Sequence, residues 1–573
     1  MNDWIAHGID LGTAVELAAV ILLAAVCLAW RPCPQWEAQL IAPFLRLARR
    51  PVLAMLACGA APLLLRAILW LDLRFPISGV LDEYSYLLAA DTFAHGRLTN
   101  PTHQLWVYFE SFNIIQQPTY ASKYPPLQGL VMAFGQVFLG HPWWGVYLST
   151  GILGAVLYWA LAGWVPRRWA MLGSFLALLQ WELLSYWMNS YWGGSLAAIG
   201  GALLLGSFPR LPASLRRKSA RIVLLLALGL AILANTRPYE GLMFSVPLLI
   251  AAAWRVFRRP KKRPRISARM LLPAALLLAV TAGWMAFYNW RVTGKPWRMP
   301  YAEHERQYNI APVFIFLPLR PAPAYRHPIM AEWWKQDPSL RARRDGVFRY
   351  LVNHAYMLLI FYVGPALLVA YAALWFRRSE GTIRWLVTLL LFQILAILLV
   401  AWPLPHYASP ATALILLLAV CGLRSLRRWR SDKEWGVWLV RVVVLSCVIR
   451  LCFCPVTPYA LRALDLDPSN ATWRCCTGRN DFGRNAVQEQ LEGLPGRHLV
   501  VVKYGHDQTG FREYVYNLAD IDSQKVVWAR SMSTYEDQWL LDYYKDRQIW
   551  LLTVDHGGYS LGRYAAAKSP GGP

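Results

Sequence analysis

Apolar runs long enough to cross a bilayer recur along most of this chain, and they constrain its fold more than any other feature. They fall near 11–30, 51–71, 142–164, 170–188, 221–236, 240–256, 270–290, 354–376, 384–402, 407–423 and 436–454, with a shorter one near 193–207. A helix needs about 20 apolar residues to span the hydrocarbon core. Lipid cannot hydrogen-bond the backbone, so each run is predicted to be helical. Charged residues make up only 16% of the sequence, against about 25% in ordinary soluble domains. The 29 tryptophans suit rings that collect at headgroup level. The expected fold is an α-helical polytopic membrane protein of about 12 transmembrane helices over residues 1–454, followed by a small soluble α/β domain over 455–573. The first run reads as a retained span rather than a cleaved signal. Asp3 and Asp10 replace a basic leader, and no small-residue cleavage site follows.

The formal net charge is +25. In a soluble chain that would raise nucleic acid as a partner. Here the basic residues cluster in short loops: Arg46, Arg49 and Arg50; Arg167 and Arg168; Arg210 to Arg221; Arg255 to Arg269; Arg377, Arg378 and Arg384; and Arg424 to Arg430. This is the pattern of cytoplasmic loops facing anionic lipid, and aromatic platforms for bases are missing. No nucleic-acid partner is expected; the bilayer is. All these clusters fall on one side if residues 126–140, short and opened by Pro-Pro, form an interfacial helix that does not cross. The N-terminus, the loop 72–141, the loop 291–350 and the tail then share the outer side. Nine cysteines show no metal-ligand spacing. Cys452 and Cys454, with Cys475 and Cys476, flank the last span, and a bridge between the pairs is expected only on an oxidising side.

The tail changes character. Leu499 to Lys503, Val526 to Trp528 and Ile549 to Val554 read as short strands, and Glu536 to Tyr544 has helical spacing. It carries neither a glycine-rich phosphate loop nor a nucleophile elbow. Internal repeats are absent by inspection, which gives no support to an inverted-repeat transporter.

The outer loops hold the unusual chemistry. Asp82 and Glu83 are adjacent carboxylates just beyond an apolar run, and Lys123 follows on the same loop. A charge close to lipid tends to persist where it is solvated, paired or used. Attack of a hydroxyl on a sugar carbon needs a general base, for which Asp82 and Glu83 are the candidates. Departure of a lipid phosphate needs cations, for which Lys123 and the forked donor of Arg237 are candidates. Tyr84, Tyr86 and Tyr407 offer hydroxyls or sugar-stacking rings, and Asp91, Tyr239, Glu240 and His406 are further substrate-binding candidates. Each has a plainer reading. Asp82 suits a helix cap, Glu83 a first-turn charge on the helix dipole, and Asp91 a solvated face. Lys123 suits snorkelling, Arg237 with Glu240 a paired turn, and His406 a hydrogen bond to a neighbouring turn. His304 and Glu305 read as an ordinary polar loop.

Together these residues resemble the GT-C class of membrane glycosyltransferases, among them protein O-mannosyltransferases and the lipid A aminoarabinose transferases. In that class the first outer loop opens with Asp-Glu and an aromatic, then a helix ending in a short Gly-to-Pro phrase. Here the matching residues are Asp82-Glu83-Tyr84-Ser85-Tyr86 and Gly96-Arg97-Leu98-Thr99-Asn100-Pro101. The Lys-Pro-Pro-Leu of the class resembles Lys123-Tyr124-Pro125-Pro126-Leu127, with one extra residue, followed by Phe138-Leu139-Gly140. Thr236-Arg237-Pro238 is similar to a Thr-Lys-Gly turn, and Tyr407 with Pro410 to a late Tyr followed by Pro or small residues. The likeness covers roughly residues 70–425. It implies that Asp82 activates the acceptor and that Lys123, Arg237 and Tyr407 hold the carrier phosphate. Where many members carry a second acidic residue after the fourth span, this chain has Gly193-Gly194-Ser195, which leaves any divalent-metal requirement open.

The resemblance implies a bacterial inner-membrane glycosyltransferase with its site on the periplasmic face. It would move a monosaccharide from a polyprenyl-phosphate carrier, with inversion, to a hydroxyl of an envelope glycolipid, glycan or protein. No cofactor beyond the lipid-linked donor is called for. Two rivals stand beside it: a polymerase or ligase using a lipid-linked oligosaccharide, and a non-catalytic transporter or scaffold. The last is disfavoured because a transporter should place ionisable residues midway through spans, whereas most charges here sit at their outer ends.

Overall fold

The computed structural model describes residues 11–29, 35–71, 73–258, 267–335, 340, 343, 344, 346–429, 434–456, 483–505, 512–555 and 558–564. Among them, eight helices are long and apolar enough to cross a membrane: Pro51–Leu71, Trp143–Leu161, Ser195–Arg216, Pro238–Phe257, Ala268–Thr293, Gly381–Leu398, Pro405–Arg428 and Trp435–Val456. Val347–Tyr362 and Gly364–Arg377 form a ninth if counted as one broken span, bent by 94°. The bend falls at Gly364, whose φ of +58° is a backbone state that side chains with a Cβ rarely adopt. Thr13–Val26, Pro126–Leu139 and Arg221–Ala234 are apolar but shorter. The chain is thus an α-helical polytopic membrane protein, with eight or nine full-length spans among the described residues where the sequence suggested about twelve.

Two of the predicted spans differ in an instructive way. The run 170–188 is not one helix: Arg167–Ala177 runs into a π-turn at Leu178–Glu182 and then into irregular turns. Its polar side chains bond the local backbone, with Asn189 donating to the carbonyls of Leu183 and Ser185 and Ser190 to that of Tyr186. Such bonds compete with the helical ladder. The short run 193–207 is instead part of a 22-residue helix.

By internal contacts the chain divides into two compact units. One comprises residues 1–75, 146–283 and 345–477; the other comprises 76–145, 284–344 and 478–573. Residues 76–145 and 284–344, from the two long loops, group with the tail in the second unit.

The helical unit is organised around Thr412–Arg428, almost wholly buried. Small residues let backbones approach it. A Cβ on Gly422 would sit 1.8 Å from the Ala370 carbonyl oxygen, and one on Gly201 would sit 1.9 Å from that of Pro410. On the periphery Val52, Leu56, Leu64, Leu272, Leu276 and Val280 are largely exposed, as lipid-facing positions should be. A buried ion pair lies inside this unit. Arg450 Nε is 3.5 Å from Glu16, and Glu16 also accepts from Gln180 and from the Ala366 N–H.

In the loop unit the tail forms a four-stranded sheet. Label Ile114–Ile115 β1, Ala121–Ser122 β2, His498–Tyr504 β3, Val526–Arg530 β4, Gln548–Asp555 β5 and Gly558–Arg563 β6. The order is β4-β3-β5-β6, with β3 parallel to both neighbours and β6 antiparallel at the edge. The three predicted strands and the helix, Thr534–Tyr543, are present. Val500, Val502, Trp528, Leu552 and Val554 pack with Val487 and Leu491 of the Arg484–Glu492 helix. The first loop contributes the Leu81–Ala94 helix, the β1–β2 hairpin and the Pro126–Leu139 helix. The tail is fastened to this loop. Arg530, fully buried, donates to the Glu110 carbonyl and pairs with Glu513, and Tyr120 donates to the Asn517 carbonyl. Cys475 and Cys476 lie outside the described residues.

Candidate functional site

The Leu81–Ala94 helix begins one residue before Asp82, with Val80 at its N-cap. Asp82 therefore does not cap it. Glu83 does that work: its Oε2 accepts from the N–H groups of Gly79 and Val80 at 2.9 and 3.0 Å, and the side chain is buried. The bond to Val80 is the return half of a capping box, and the bond to Gly79 fixes the chain just before the helix. Of the acidic pair, Glu83 is committed to the fold, and Asp82, half-buried, is turned to other partners.

Those partners come from the hairpin. The Tyr124 hydroxyl donates to Asp82 Oδ1, and the Asn113 amide lies 3.4 Å from the same oxygen. Asn113 has φ +62°, a state that Asn tolerates better than most residues. Its backbone is pinned: its carbonyl accepts from Ser85 Oγ at 2.6 Å and from the Lys123 N–H at 3.3 Å. Ser85 and Ser122 share a further 2.8 Å bond, and the rings of Tyr86 and Tyr124 stack at 4.4 Å. Asn113 and Tyr124 thus hold one carboxylate directly, and Ser85, Ser122 and Tyr86 fix those two in place.

Lys123 sits on this same framework and is buried. Its Nζ lies 5.3 Å from the Tyr124 ring centroid and 4.9 Å from that of Tyr301, within reach of cation–π attraction. Tyr301 belongs to the Pro300–Tyr308 helix of the second loop. His304, three residues on and so on the same face, is completely buried, and neither ring nitrogen finds a hydrogen-bond partner among the described residues. Burial first, and the Lys123 charge second, hold its pKa well below the usual imidazole value, so it is neutral. Glu305 is buried and accepts from Asn309 at 2.6 Å. His304 and Glu305 are therefore interior groups and not the ordinary polar loop expected.

The other candidates in this unit divide between roles. Tyr84 stacks on Tyr516 of the tail at 4.0 Å and donates to the Ser78 carbonyl. Asp91 is buried rather than solvated, and its oxygens accept from Gln136 at 3.0 Å and from the Ala519 N–H at 2.9 Å. It ties two helices of the first loop to the tail.

The remaining candidates belong to the helical unit. The Arg237 guanidinium lies 4.3 Å over the Tyr407 ring, an arrangement that holds the fork in place. Arg237 precedes the helix Pro238–Phe257, in whose first turn Glu240 is buried. Tyr239 donates to the Ala396 carbonyl at 3.1 Å. His406 is buried, 3.0 Å from the Tyr186 hydroxyl, with the Trp192 ring at 4.8 Å. Among the described residues no group of three or more His, Cys, Asp or Glu side chains is placed to hold a metal ion.

Neither a protein-family model nor a curated protein matches the sequence. Solved structures do match in shape. ArnT from Cupriavidus metallidurans in the apo state superposes with a TM-score of 0.50 at 14% identity, over 87% of this chain and 92% of that one. The same protein bound to undecaprenyl phosphate gives 0.48 at 14%, over 87% and 93%. The Archaeoglobus fulgidus oligosaccharyltransferase gives 0.44 at 11%, over 86% and 67%. With its apolar helices and its small α/β tail, this chain has the fold of the GT-C class of membrane glycosyltransferases.

Proposed function

We propose that the chain is an integral membrane glycosyltransferase that moves a monosaccharide from a polyprenyl-phosphate carrier to an acceptor hydroxyl, at the outer face of a bacterial inner membrane. The observation that carries this reading is the Asp82 carboxylate, held by the Tyr124 phenol and the Asn113 amide and followed on the same framework by buried Lys123. The acceptor oxygen attacks the anomeric carbon and passes its proton to Asp82. The bond from that carbon to the phosphate oxygen breaks, and the phosphate leaves with the electron pair. Lys123 stabilises the growing phosphate charge. Attack opposite the leaving group inverts the sugar carbon.

The test uses the purified full chain in lipid nanodiscs, offered polyprenyl-phosphate-linked monosaccharides or lipid-linked oligosaccharides. The reading expects release of polyprenyl phosphate from a monosaccharide donor and a product of inverted anomeric configuration by NMR. Turnover of oligosaccharide donors alone, or retention of configuration, would contradict it.

A further inference from the structure

Two neighbouring cavities lie within the loop unit, of about 240 and 440 Å³, and they share Gln117, Arg306 and Gln307 as walls. The smaller is also lined by Trp106, Glu110 and Arg326. Each guanidinium lining it already faces a carboxylate: Arg306 pairs with Glu303, and Arg326 lies 3.7 Å from Glu110 while covering the Trp106 ring at 4.5 Å. An anionic ligand would therefore have to compete with carboxylates in place, whereas hydroxyl groups can add hydrogen bonds to the paired charges and amides without displacing any. Glu110 is nine-tenths buried and fixed by the Tyr308 hydroxyl at 3.0 Å, so its position is set before a ligand arrives. The smaller volume is below the ~300–1,000 Å³ of pockets for drug-sized ligands, a size for one sugar ring, with the larger cavity beside it for a second.

A short stretch of chain links the groove to the setting of the candidate base. Glu110 is three residues from Asn113, whose amide faces Asp82. Three residues span at most about 11 Å.

We infer that this groove is an acceptor subsite for an uncharged glycan, so that the hydroxyl delivered to Asp82 belongs to, or is attached to, a neutral sugar. The inference rests on the transferase reading and adds the acceptor's chemical class. Aromatic ring, fixed carboxylate and amides together are the means by which proteins orient polyhydroxyl ligands, whereas an acceptor peptide would ask for apolar side-chain pockets.

The test is saturation-transfer NMR on the full chain in nanodiscs, with methyl β-D-glucopyranoside, methyl α-D-mannopyranoside and chitobiose as neutral probes and glucuronate and inorganic phosphate as charged ones. The expected result is saturation of a neutral probe, weakened at least tenfold in Trp106→Leu and in the similarly sized, uncharged Gln307→Met. Saturation only by glucuronate or phosphate, none by any neutral probe, or neutral-sugar binding unmoved in both variants would overturn it. Sugar binding without transfer by the native chain would sink the transferase and leave the groove. Transfer with binding unmoved in the variants would do the reverse.

Discussion

Asp82 and Glu83 are neighbours in sequence but do different work, and the difference is set by where the helix starts. Glu83 at the third helical position reaches back to two backbone N–H groups, whereas Asp82 meets a phenol and an amide from the hairpin. Removing the phenol in Tyr124→Phe deletes one hydrogen bond to a charged group, worth about 1.5 kcal/mol. Steady-state kinetics should show kcat lowered about tenfold with the KM for the lipid donor little changed. An unchanged kcat would mean that Tyr124 serves packing alone. His304 yields a second prediction. Its folded pKa lies below its ordinary value of 6.5, so the unfolded state binds the proton more readily and stability falls as pH drops below about 6.5. Hydrogen exchange of the Pro300–Tyr308 helix should speed up between pH 7 and 5 in the native chain, and His304→Phe should flatten that dependence.

Asp82 and Lys123 were legible as candidates because they sit in contiguous motifs. Asn113, Tyr124, Tyr301 and His304 were not. The first two reach Asp82 through a hairpin of two-residue strands, too short to show any alternation, and the last two come from a loop some 180 residues away.

Among the elements, the tail was the most readable. Its central strands are continuous apolar runs, as buried parallel strands are. Less readable are the Arg484–Glu492 helix, with only Val487 and Leu491 buried, and the edge strand Gly558–Arg563, which is mostly exposed and carries two glycines. Neither presents enough apolar periodicity to be seen. The attachment of tail to loop was equally hidden, since it rests on Arg530, Glu513 and Glu110. For Arg530 burial alone would lower the pKa, but Glu513 and Tyr504 outweigh it and keep the guanidinium charged. Breaking a buried pair costs about 3–5 kcal/mol because one charge is left unmatched. Arg530→Ala should thus loosen the tail, read as rapid hydrogen exchange in β3 and β4. The Arg97–Asp520 pair is bidentate but partly exposed, and Arg97→Ala should cost under about 1 kcal/mol. Equal effects of the two substitutions would contradict this ranking.

For the molecule as a whole, the apolar runs announced the class, but not where polar side chains break a helix, as Asn189 and Ser190 do after Glu182. Nor did they announce buried charge, since the Glu16–Arg450 pair joins helices more than 400 residues apart in sequence. The arginine parity makes a claim about sidedness that the chain can be asked directly. With native cysteines blocked, an impermeant maleimide added to intact spheroplasts should label Gln104→Cys and Trp539→Cys. Arg258→Cys should label only after the membrane is opened. Labelling of all three from one side would remove the proposed orientation.

The central claim is that one carboxylate activates the acceptor, and Asp82→Asn tests it with almost no change of shape. In nanodiscs the variant should insert, fold and bind polyprenyl phosphate as the native chain does, while sugar transfer falls by about 10²–10⁴-fold, the span of general-base contributions. Transfer at the native rate would contradict the account.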